Sequence, residues 1–132
     1  MMKKTEIIID GSAIIDIPSF YDEINRVLMQ REDWKLAQSL DGFNDLLYGG
    51  FGILNSLEDV DLIWKDIAAS RAALGYETTK AYYLQKLVPG TPFDKKLFRN
   101  KLEALEAGAG QTYFDIILEI IAAHPNIRLK EY

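Results

Sequence analysis

The 132 residues, 48% hydrophobic and 27% charged, suit one globular domain with a self-sufficient core and speak against a disordered chain. No cysteine is present, which excludes disulfides, thiol chemistry and thiolate zinc sites and makes a reducing cytoplasm the simplest compartment. A net charge of −5 argues against nucleic acid as a direct ligand, and no stretch approaches the roughly 20 apolar residues of a membrane span.

The N-terminal Met1-Met2-Lys3-Lys4-Thr5-Glu6 is charged and leads into only three isoleucines, too short an apolar run for a signal peptide. Ile7-Ile8-Ile9, closed by Asp10-Gly11, reads as a strand and turn. Ser19, three residues before Asp22, reads as the cap of a helix carrying Phe20, Ile24, Val27 and Leu28 on one face. Residues 29–38 lack periodicity and read as a loop. Ser39 then caps a second helix with Leu40, Phe43, Leu46 and Leu47 on one face, stopped by Gly49-Gly50.

Val60-Asp61-Leu62-Ile63-Trp64 reads as the next strand, with Trp64 in the core, and Asp66 as the cap of a short helix through Ala73. The segment 76–111 differs in character, with a net charge of +2. It predicts a helix around 79–87, a break at Pro89-Gly90-Thr91-Pro92, and a second helix capped by Thr91. Gly108-Ala109-Gly110 reads as a flexible joint. Residues 112–123 predict a helix apolar around most of its circumference, and Ile127 to Tyr132 alternate as an edge strand should. Three strands separated by helices imply a small parallel sheet and an α/β architecture.

Charge is unevenly placed. Between Arg31 and Asp66 eight acids face three bases, so that window holds the whole net charge and would steer a basic partner. Catalytic patterns are absent: no P-loop, no Gly-x-Ser-x-Gly, and a single histidine, His124, which reads as a surface or helix-end residue without a nucleophile. No metal or cofactor is expected. Asp41 and Asp45 lie four apart, on one helix face. An acid–base pair would need them in a cleft; a binding face and a plain solvated face are the alternatives. Like charges at this spacing cost a helix roughly 0.2–0.5 kcal/mol, and Asp, Asn and Gly are modest helix formers, so stability alone does not explain the choice.

The stretch Lys3–Met29, the helix Leu40-Asp41-Gly42-Phe43-Asn44-Asp45-Leu46-Leu47, the following Gly49-Gly50-Phe51-Gly52, the strand end Ile63-Trp64-Lys65-Asp66, and the final helix and strand resemble the barstar family of intracellular ribonuclease inhibitors. The resemblance implies a single domain over residues 1–132, with a three-stranded parallel sheet and helices in two layers and 76–111 as a helical insertion before the last helix. It implies a cytoplasmic protein, monomeric when free and not an enzyme. Such a protein plugs the active site of a basic ribonuclease, barnase-like or toxin-type. Asp41 and Asp45 match the two aspartates that take the place of substrate phosphates. Asn44 stands where the family has an aromatic, and the loop before the helix offers Trp34 instead of adjacent tyrosines. Trp34 is then either an anchor for the partner or folded back on the core. Gly49 is first a helix cap and second a partner contact. A basic protein that is not a nuclease is the alternative partner.

Overall fold

A computed structural model describes residues 5–55 and 59–132. Met1, Met2, Lys3, Lys4 and Glu58, which entered the N-terminal and charge readings, lie outside them. Strands β1 (Thr5–Asp10), β2 (Val60–Lys65) and β3 (Ile127–Glu131) form a parallel sheet in the order β1-β2-β3. Six α-helices accompany it among the described residues: α1 (Ile17–Leu28), α2 (Leu40–Leu47), α3 (Ile67–Ala73), α4 (Tyr76–Lys86), α5 (Lys95–Glu106) and α6 (Tyr113–Ala122).

Strand alternation decides which side chains enter the core. Ile7 and Ile9 of β1 pair with Leu62 and Trp64 of β2 and point to the buried face, with Val60 and Ile127. Phe20 and Ile24 of α1, Phe43 and Leu46 of α2, and Phe114 and Ile117 of α6 join them in one cluster. Sheet and helices thus make two layers. Ile8, on the opposite face, is 45% exposed, so the isoleucine run is divided between core and solvent. Trp64 is fully buried, stacked on Phe20 at 6.2 Å and edge-on to Phe114 at 5.6 Å. Its indole N–H donates to Ser70 Oγ at 2.9 Å, and Ser70 donates to the Gly11 carbonyl at 3.0 Å. The one polar atom of this large side chain is therefore satisfied, and its bond ties β2, α3 and the turn after β1 together.

Several helix starts differ from the sequence reading. Asp16, not Ser19, caps α1: Asp16 Oδ1 accepts from the Ser19 amide, and Ser19 Oγ accepts from the Asp16 amide, each at 2.9 Å. Pro18 falls in the first turn, where its missing N–H costs nothing, and this moves the cap upstream. Asp94, not Thr91, caps α5 through the Leu97 amide at 3.1 Å. The Thr91 hydroxyl instead donates to the Val88 carbonyl at 2.7 Å, closing the turn after α4. Asp66 precedes α3 in the left-handed region (φ 52°) and makes no side-chain cap bond. Helix α4 begins three residues before the expected start, at Tyr76. The 108–110 segment is no free joint: the amides of Ala109 and Gly110 both donate to the Ala104 carbonyl at 2.9 Å, and Gly110 lies so close that a Cβ would sit 2.7 Å from the Leu105 amide nitrogen.

Helices α4 and α5 form a hairpin through Tyr83 and Phe98, whose rings are 6.1 Å apart. Thr79 fastens it to the domain: its hydroxyl donates to the Gly75 carbonyl at 2.7 Å and accepts from the Tyr113 amide at 2.7 Å. Tyr82 packs edge-on to Tyr113 at 5.1 Å.

A candidate protein-binding face on α2

Ser39 starts α2 by accepting from the Gly42 amide at 3.1 Å, and Gly49 ends it at φ 84°, a conformation glycine reaches without steric cost. Between these stops Phe43, Leu46 and Leu47 are buried, which fixes the rotation of the helix. Asp41 and Asp45 consequently face solvent, one turn apart. Among the described residues neither makes an ion pair.

Asn44 is placed differently. Its Oδ1 lies 2.7 Å from His124 Nε2, and the Tyr48 ring stands edge-on to the imidazole at 4.6 Å. His124 is only 4% exposed, so the surface placement expected from its helix-end position is corrected: it fills the corner between α6 and β3 and latches α2 there. Burial holds its pKa below the ordinary imidazole value. Half-buried Asn44 thus spends its carboxamide oxygen inside the molecule.

Trp34 is 45% exposed, and its ring lies against Phe51 at 5.1 Å. It is neither swallowed by the core nor free. The loop carrying it is held by Asn25, which accepts from the Leu36 amide at 2.7 Å and donates to the Leu36 carbonyl at 3.2 Å. Glu32 accepts from the Gly52 amide at 3.0 Å, joining the loop to the turn after α2. Trp34 and the α2 carboxylates therefore sit on connected but separate supports. Gly49 is half-buried, and a Cβ there would stand 3.1 Å from the Leu54 carbonyl oxygen.

The acidic window between Arg31 and Asp66 is not one face. Asp61 lies on the far side of the sheet, under Arg128 (2.9 Å) and Lys130 (3.3 Å) of β3. The Arg128 hydrogen bond holds its carboxyl below the usual range, against the opposing effect of burial. Two features escaped the sequence. The His124 latch joins residues 80 apart in the chain. Asp41 also borders a groove with Tyr82, Lys86 and Lys101, which segment 76–111 brings alongside α2. Only the positive balance of that segment hinted at it. Among the described residues no group of three or more potential ligands could hold a metal ion, and no helix is long and apolar enough to cross a membrane.

No family model matches the chain, and no curated protein matches it.

Proposed function

We propose that the protein is a barstar-type inhibitor that binds a basic ribonuclease in the cytoplasm and blocks its active site with α2. The observation that carries this reading is the exposed Asp41 and Asp45 pair, without an ion pair among the described residues, on a helix whose opposite face is locked into the core. Ribonuclease active sites gather cationic donors around the phosphate, and two carboxylates about 6 Å apart along a rigid helix offer them fixed acceptors. Preorganisation by the core limits the ordering cost of association.

The test is calorimetric titration against a panel of small basic ribonucleases, with the product of the neighbouring reading frame among them. Binding that weakens steeply with salt and removes nuclease activity supports the proposal. Binding of a basic protein without loss of nuclease activity moves the reading to a non-nuclease partner. Absence of binding across the panel counts against both.

A further inference from the structure

The α4–α5 hairpin forms the second wall of a groove beside α2, about 430 Å³ in volume, in which Asp41 faces Tyr82, Lys86, Phe93, Phe98 and Lys101. Lys86 is held in place by aromatic rings: its ammonium stands 3.9 Å from the Phe93 centroid and 4.9 Å from that of Tyr82. The carbonyl end of α4 does not claim it, because Lys95 Nζ donates to the Lys86 and Thr91 carbonyls at 3.1 Å each. Among the described residues no carboxylate lies within ion-pair distance of Lys86 or Lys101. The groove thus joins two cations that have no ion-pair partner among the described residues to an aromatic floor, with Asp41 on its α2 wall.

We propose that this groove is a second subsite of the α2 interface, and that it receives a carboxylate side chain of the partner together with an apolar neighbour. The carboxylate accepts charge-assisted bonds from Lys86 and Lys101, and the neighbouring side chain covers Tyr82, Phe93 and Phe98. Holding Lys86 by cation–π contacts before binding lowers the ordering cost. The pattern also selects partners: a uniformly basic surface would meet Asp45 well but repel the two lysines, whereas a basic centre with an acidic rim on one side satisfies both. The identity of the partner rests on the inhibitor reading; the chemistry of the groove does not.

The probes are two capped dipeptides, N-acetyl-aspartyl-phenylalanine amide and its lysyl counterpart, titrated into the isotope-labelled full chain and followed by amide chemical shifts. The acidic peptide should give saturable shifts centred on residues 82–101, and the lysyl peptide should bind about tenfold more weakly. The Lys86→Gln, Lys101→Gln protein should lose the preference. If the double variant misfolds in the same spectra, Lys101→Gln alone, at an exposed position, should reduce it. Equal binding of both peptides, shifts centred elsewhere, or no saturable binding overturns the proposal. The Asp45→Ala protein should keep peptide binding while losing the ribonuclease, so the two readings fail separately.

Discussion

Asp45 stands in the last turn of an eight-residue helix, where the unsatisfied carbonyls disfavour negative charge, while Asp41 stands in the first turn, where the field favours it. Replacing Asp45 by alanine removes that conflict and improves helix propensity. Asp45→Ala should therefore leave stability unchanged or raise it by up to about 1 kcal/mol. The same change should weaken the proposed complex by at least about 2 kcal/mol, roughly 30-fold. Urea denaturation and calorimetry on one preparation check both halves; a loss of stability together with intact affinity would reverse the assignment. Asn44→Ala should behave in the opposite way, because it strips the hydrogen-bond partner from buried His124 Nε2. A destabilisation of about 1–3 kcal/mol is expected, read as a lower urea midpoint. Spacing and capping made the solvent-facing placement of Asp41 and Asp45 legible in the sequence. The inward role of Asn44 was not, since its partner arrives from the far end of α6 and local pattern carries no trace of it.

At the scale of elements, the periodic helices and alternating strands were readable because each buries one face, as Phe43, Leu46 and Leu47 do in α2. Their ends were less so. Asp and Ser or Thr residues compete as caps at Asp16 and Ser19, and again at Thr91 and Asp94, and the winner depends on where proline and the preceding turn set the backbone. The turn after α2 shows how tightly an irregular segment is specified. Gly52 has φ 74°, and a Cβ there would sit 2.6 Å from the Leu28 carbonyl oxygen, which already accepts from the Ile53 amide at 2.9 Å. Gly52→Ala combines a disfavoured backbone with a clash and should cost more than about 1 kcal/mol. The denaturant midpoint should fall with an unchanged slope. Wild-type stability in this variant would mean that the turn is not held as described. Trp34 shows the limit of composition: an aromatic in an aperiodic loop reads equally as anchor or core, and in the fold it rests on Phe51 with 45% of its surface exposed.

Across the whole molecule, the parallel sheet followed from long helical crossovers between β-branched runs, but the placement of charge did not. Asp61 belongs to the acidic window in sequence and to Arg128 and Lys130 in space, so its charge is withdrawn from the surface that carries Asp41 and Asp45. Titration should report the groups whose pKa the fold shifts. The depressed pKa of His124 means that the unfolded chain binds the extra proton, so stability falls as pH drops below about 6.5. Asp61, Asp10 and Asp16, each held low by hydrogen bonds, add a second loss below about pH 4. Burial pushes the Tyr21 phenol up to about 12 and raises its partner Tyr113, 2.6 Å away, so stability falls again as pH climbs above about 10. Urea midpoints across pH should trace this dome. His124→Gln should flatten the shoulder near neutrality, and an unaltered shoulder would show that His124 does not cause it. The central claim, that α2 blocks a basic ribonuclease through two carboxylates, is tested most directly by titrating the protein into an active enzyme of that class. The intact chain should abolish activity at one-to-one stoichiometry, and the folded Asp41→Ala, Asp45→Ala variant should not. Full activity in the presence of the intact chain, or equal inhibition by the double variant, would contradict it.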